Sequence, residues 1–194
     1  MLACNSIAFK EWAVVCAALA EGRQSLIVRK GGIQDGPRGF EVEHREFWLF
    51  PTYLHENPDA IVDESRTLLD RVQAERPAAD LVHLGLYAIV EDVVLVTDES
   101  LLPRLNGLHI WSHRTLSDRF HYRRPGLLVL TVRMFRLPRP IVIPNSPHFD
   151  GCRTWVDLPS DPPLTTEGLV PVLPDSEFDR QRDRVRAALE TAIV

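Results

Sequence analysis

The chain has 194 residues, 45% hydrophobic and 25% charged, with a net charge of −5; this is an ordinary globular balance, and one core of that size buries roughly 70% of the unfolded surface. No apolar run approaches the ~20 residues that span a bilayer, which excludes a membrane helix, and Lys10 with Glu11 break the apolar stretch where a signal peptide would need it, so a cytoplasmic location is expected. Cys4, Cys16 and Cys152 form no CxxC pair, which argues against a zinc finger and for reduced, mostly structural thiols.

In chain order, Phe9, Trp12, Ala13, Cys16, Ala17 and Ala20 recur at helical spacing and predict a helix over 7–20, capped by Asn5 or Ser6 and stopped by Gly22. Residues 24–29 read as a strand, and 31–39, with four glycines and Pro37, as a loop. A second strand over 41–50 stops at Pro51; alternation puts His44, Glu46, Trp48 and Phe50 on one face, and Glu43, Arg45, Phe47 and Leu49 on the other. Pro58 and Asp59 open a helix to about residue 75, with Ile61, Leu68, Leu69 and Val72 as its buried stripe. Residues 81–90 and 93–97 are strands by composition, Asp98 caps a short helix ending near Gly107, and 112–121 is a further helix. The most regular strand is 127–137, followed by short ones at 141–143 and 154–158. Prolines then dominate 159–174, which predicts an extended arm wrapping the protein's own core, before a terminal helix over 176–192. Irregular interleaving of strands and helices gives an α+β class, a single globular domain over 1–194 whose mainly antiparallel sheet carries flanking helices.

Charge is unevenly placed. Residues 104–139 hold eight arginines against the single acid Asp118, while 56–99 is strongly acidic; such asymmetry steers anionic ligands to one face. The chain also has twenty arginines and only two lysines, Lys10 and Lys30. If codon usage favours arginine, a retained lysine marks a place where a planar guanidinium does not serve.

The chemistry is densest between Arg29 and His55. Arg29-Lys30-Gly31-Gly32 follows a strand, and its glycines and cations suit close approach to a phosphate or carboxylate, although the Walker spacing is absent. His44 and Glu46, about 7 Å apart on one strand face, suit an acid/base pair or, with His55, a weak metal site. His109 and His113 stand at i, i+4, a spacing that suits a metal only on a helix. Arg119-Phe120-His121-Tyr122-Arg123-Arg124 interleaves cations with aromatics, as a surface that stacks bases while neutralising phosphates does.

Several phrases together carry a family resemblance: Ala8-Phe9-Lys10-Glu11-Trp12, Gly22-Arg23-Gln24, Arg29-Lys30-Gly31-Gly32-Ile33, and His44 with Phe47-Trp48-Leu49-Phe50-Pro51-Thr52 and His55. They resemble the prokaryotic family catalogued as domain of unknown function 1802, and the likeness extends through Arg119-Phe120 to Gly151-Cys152-Arg153-Thr154-Trp155-Val156. Glu56 departs from it, since a glutamine commonly follows the histidine. The resemblance implies a prokaryotic protein and brings no activity with it. More distantly, a helix, a glycine bend and a strand ending in Arg-Lys resemble the opening of PUA and ASCH modules, which implies a barrel-like sheet and RNA or modified bases as ligands.

Three function classes stay open, the first leading. A nucleic-acid- or nucleotide-binding module would hold nucleic acid or an anionic small molecule with Lys10, Arg29, Lys30, Gly31, Gly32, Arg119, Arg123 and Arg124. A hydrolase or nuclease would use His44, Glu46 and His55, with Lys30 and Arg29 as anion holders. A protein-interaction or regulatory component would use the proline-rich arm and the terminal helix. No cofactor is expected.

Overall fold

Phe9 and Trp12 stand at helical distance from Ala13 and Cys16, yet residues 7–12 are not helical. The computed structural model, which describes residues 1–30, 42–151 and 153–190, makes them strand β1 (Ile7–Trp12). This strand pairs in parallel with β3 (Glu46–Thr52), Ala8 opposite Trp48, and antiparallel with β6 (Trp155–Asp157), Ala8 opposite Val156. Neighbours on both sides satisfy its backbone groups, and Ile, Phe and Trp suit a pleated surface. The apparent helical period joined two elements, because α1 (Ala13–Ala20) begins directly after.

The expected caps move accordingly. Asn5 serves the strand: its Nδ2 donates to the Glu46 carbonyl and the Tyr87 hydroxyl, and its Oδ1 accepts from Ile7 N–H. The start of α1 is capped instead by Glu56, whose Oε1 accepts from Val14 N–H at 2.8 Å. Burial raises the Glu56 pKa, and the bonds from Val14, Gln73 and Ala13 only partly offset it. Gly22 ends α1 at φ +67°, and a Cβ there would fall 2.4 Å from Leu173 Cδ2.

Seven strands form one sheet among the described residues, in the order β2 (Leu26–Arg29), β5 (Leu127–Pro144), β4 (Leu81–Val96), β3, β1, β6, with β7 (Val170–Pro171) pairing β5. Only the β1–β3 pairing is parallel, so the sheet is mainly antiparallel, as the sequence predicts. Where the sequence suggests two strands each, β4 and β5 are continuous and bend through register shifts between Leu84 and Leu86 and between Val90 and Asp92. Pro138 and Pro140 fall in the first shift, where Leu84 pairs Ile141 and Leu86 pairs Arg136, so their missing N–H groups break no rung. The sheet curls edge toward edge: Arg29, ending β2, donates from Nη2 to Thr154 Oγ1 at 3.3 Å, just ahead of β6.

One face carries the helices. Phe9, Val28, Phe47, Leu49 and Val132 pack there with α1, α2 (Arg66–Ala74), α3 (His113–His121) and α4 (Asp175–Leu189) through Leu19, Leu68, Leu116 and Leu189. The other face buries Ala8, Trp48, Phe50 and Tyr87 under Phe149, Leu158 and Leu164, so the proline-rich segment contributes Leu164 to the protein's own core. The helix expected from residue 58 is two 3-10 turns, Pro58–Ala60 and Asp63–Ser65, before α2, which lets Ile61 form a bridge to Trp111. Asp98 caps as predicted, accepting from Ser100 N–H, and Ser112 caps α3 by accepting from Thr115 N–H. No helix among the described residues is long and apolar enough to cross a membrane.

Candidate functional site

Alternation along β1 sends Phe9 and Glu11 to the helix-covered face and Ala8 and Lys10 to the other. Glu11 thereby becomes a carboxylate only 1% exposed. Its Oε1 accepts from Trp12 N–H at 2.7 Å, whereas Oε2 has no hydrogen bond among the described residues, with Arg29 Nη1 beside it at 3.7 Å. The Arg29 guanidinium lies 4.8 Å from the centre of the Phe9 ring.

A second guanidinium arrives from α3. Arg119 lies 3.7 Å from the centre of the Trp111 ring and 5.7 Å from that of Trp12, the two indoles meeting edge to face at 4.9 Å. Burial pulls the Arg119 pKa down to about 10; the Glu11 charge opposes that shift and the Arg29 charge adds to it. Arg119 therefore stays cationic at neutral pH, and none of the described residues accepts a hydrogen bond from its guanidinium. Trp111 Nε1, itself buried, has no acceptor either.

Around this floor stand partly exposed rings. Trp155 packs edge-on against Phe9 at 5.0 Å and Phe47 at 5.1 Å, and His44 packs on Trp155 at 5.0 Å. The result is two guanidiniums against one carboxylate, donors left free in a desolvated setting, and flat apolar faces beside them. Guanidinium forks match planar or tetrahedral oxyanions, and they gain strength where water is scarce.

A family model described as a domain of unknown function (DUF1802) matches residues 8–184. The chain belongs to that family. No curated protein matches this DUF1802 chain. Among solved structures it is similar to a crystal structure of ASCH from Zymomonas mobilis, at 12% identity over 91% of this chain and 93% of that one, with a TM-score of 0.42. Structures of two point mutants of the same protein give 13% and 12% identity, covering 94% and 91% of this chain and 98% and 96% of theirs, with TM-scores of 0.42 and 0.41.

The remaining candidates of the DUF1802 chain fall in different places. Lys30 and Lys10 do not line the cluster with their ammonium groups. Lys30 Nζ donates to the carbonyls of Phe120 at 2.8 Å, Gly126 at 2.9 Å and Arg124, and Lys10 Nζ to those of Gly151 at 3.0 Å and Phe149. Gly31 and Gly32, the loop over 31–39, Cys152 and the helix end at Ala192 lie outside the described residues.

His44 and Glu46 do not share a face. His44 precedes β3 and packs on Trp155 above Phe47, whereas Glu46 points to the opposite side, accepting from Leu2 N–H and the Tyr87 hydroxyl. Burial raises the Glu46 pKa, but those bonds outweigh it and hold the carboxyl below its ordinary value. His55 is exposed in a left-handed turn at φ 67°. The three side chains thus do not converge, and among the described residues no group of three His, Cys, Asp or Glu side chains is placed to hold a metal. His109 and His113 are likewise apart in role: His109 is buried before α3, its Nδ1 accepting from Trp111 N–H, and His113 is exposed on the helix.

The arginine belt divides. Arg119 turns inward, and so does Arg133, which lies 4.7 Å from the Phe178 ring, donates to the Leu173 carbonyl and pairs with Asp175. Arg114, Arg123, Arg124, Arg136 and Arg139 are exposed. Sequence reasoning missed Glu11 and Trp111. The available signal was an acid between Phe9 and Trp12, on what proves to be a buried strand face.

Proposed function

We propose that the Glu11–Arg29–Arg119 cluster recognises the phosphate of a nucleotide, free or within a nucleic-acid chain, and that the protein is a nucleotide- or nucleic-acid-binding module. The observation that carries this reading is Arg119, a half-buried, largely desolvated guanidinium 3.7 Å from the centre of the Trp111 ring with no acceptor for its N–H donors among the described residues. Buried polar groups are nearly always hydrogen-bonded, and Arg offers five donors; a phosphate oxygen is the acceptor that matches them.

Arg29 supports the same reading. Its charge is balanced by Glu11, yet at 3.7 Å the carboxylate does not consume a donor. The part-exposed rings of Trp12, Trp155 and His44 offer faces on which a base stacks, at about 1–3 kcal/mol per base. A hydrolase built on His44, Glu46 and His55 has no such support, because their side chains do not meet.

The test is thermal unfolding with nucleoside monophosphates, nucleosides and inorganic phosphate, each at one fixed excess. A ligand selective for the folded state raises the midpoint. Nucleotides are expected to raise it more than either fragment alone. No rise with any nucleotide, or an equal rise with phosphate alone, overturns the reading.

A further inference from the structure

We infer that the loop after α3 is the contact surface for a single-stranded nucleic acid that continues out of the Arg29–Arg119 site, and that Lys30 is the positioning residue holding it. This rests on the nucleotide reading of that site and extends it from one nucleotide to a strand.

The geometry begins with two adjacent pairs. Arg29 faces Glu11 while its neighbour Lys30 reaches the loop; Arg119 faces Trp111 while its neighbour Phe120 supplies Lys30 with a carbonyl. The loop therefore starts where the proposed phosphate site ends. Tyr122, the residue closing α3, is about 4.5 Å of helix rise beyond Arg119.

The loop is held and not merely exposed. Gly126 N–H donates to the Phe120 carbonyl at 3.1 Å and closes it from outside. From inside, Lys30 Nζ donates to the carbonyls of Phe120, Arg124 and Gly126. A tripod of ammonium donors can address three converging carbonyls, whereas a planar guanidinium fork cannot. Arg123 sits between them at φ +61°, a left-handed conformation unusual for a side chain with a Cβ. Strained backbone that the surroundings hold in place is a mark of functional positions.

What the held loop presents is specific in its chemistry. Tyr122 is 57% exposed, an open aromatic face. Arg123 lies 5.1 Å from that ring, and Arg123 and Arg124 are both exposed with no acid among residues 119–126. An aromatic plate flanked by cations is the arrangement that stacks successive bases while following a phosphate backbone. A duplex, whose bases are already stacked inside, gains nothing from Tyr122. The inference therefore commits to single strands.

The experiment measures affinity for a single-stranded oligonucleotide of about ten nucleotides, for the same sequence as a duplex, and for a nucleoside monophosphate. The variants are Tyr122→Ala, Arg123→Ala with Arg124→Ala, and Lys30→Arg. Each is expected to weaken single-strand binding about tenfold or more, and to leave mononucleotide affinity within about twofold. The double arginine variant is also expected to lower the salt slope by about 1–2. Unchanged single-strand affinity in Tyr122→Ala, or tighter binding of the duplex, overturns the inference. So does parallel loss of mononucleotide binding, which would place the loop's effect in the Arg29–Arg119 site itself. If Lys30→Arg fails to fold, the exposed Tyr122 and Arg123/Arg124 variants still decide. A wild type that binds mononucleotide but holds the strand no better loses this inference alone; one that binds neither loses the nucleotide reading with it.

Discussion

Arg29 and Glu11 face each other across the seam of the curled sheet, Nη1 to Oε2 at 3.7 Å, one ending edge strand β2 and the other on β1 beside the opposite edge. The charges compensate without a hydrogen bond between them, and Arg29 donates from Nη2 to Thr154 Oγ1. Glu11→Gln keeps the shape and removes the negative charge, leaving the Arg29 and Arg119 guanidiniums uncompensated. Stability at pH 7 is expected to fall by roughly 1–3 kcal/mol, below the cost of breaking a fully enclosed pair because Arg29 is 23% exposed. Affinity for inorganic phosphate is expected to rise at the same time. Urea denaturation and a phosphate titration read the two effects, and a fall in both quantities contradicts the counter-charge role.

His109 makes stability depend on pH. It is 6% exposed, and because Nδ1 accepts from Trp111 N–H the proton sits on Nε2, which has no acceptor among the described residues. Burial pulls its pKa down to about 4, against small opposing effects of the backbone bonds. Above about pH 6.5 the ring is neutral in both states. Between there and about pH 4 the unfolded chain takes up a proton that the folded chain refuses, so stability falls as the pH drops, by about 3 kcal/mol in all. Denaturation midpoints of the wild type and His109→Gln across that window test this. The difference between the two proteins should narrow or reverse toward low pH; parallel curves would show that His109 does not titrate in this way.

Lys10 clips β1 to the turn ahead of β6 through the Phe149 and Gly151 carbonyls, with its ammonium 5.8 Å from the centre of the Phe50 ring. Lys10→Met keeps the stem and loses the bonds, and a loss of about 1–3 kcal/mol is expected. Lys10→Arg is expected not to restore it, since the guanidinium fork is too broad for two converging carbonyls. Full stability in Lys10→Arg would remove the geometric reason for a lysine in a chain of twenty arginines.

Gly22 carries a local prediction. At φ +67°, with Leu173 Cδ2 2.4 Å from the position of a Cβ, Gly22→Ala meets both backbone strain and a clash. A loss of about 1–3 kcal/mol is expected, visible as a lower urea midpoint; an unchanged midpoint would mean that Leu173 moves aside freely.

The sequence makes the mixed α+β class and the mainly antiparallel sheet legible because strands 81–97 and 127–143 are long, β-branched and separated by capped helices. It misassigns residues 7–12 because the parallel partner β3 lies some forty residues away, beyond any local period. That error hides Glu11, whose burial follows only from strand alternation. It likewise places His44 with Glu46, since the period-two rule holds inside a strand and His44 lies just before one. The lysine count flagged real positions for a structural reason: both ammonium groups bind main-chain carbonyls. Arg119 was visible as part of a basic run, but its inward turn onto Trp111 depends on tertiary packing that no spacing encodes.

The central claim is that Arg119, not the exposed arginines as a group, holds the ligand's phosphate. Isothermal titration of a nucleoside monophosphate into the wild type and Arg119→Ala tests it most directly, with thermal unfolding confirming that the variant is folded. A loss of at least about tenfold in affinity is predicted, the worth of one charge-assisted pair. Equal affinity in a folded Arg119→Ala protein would contradict it.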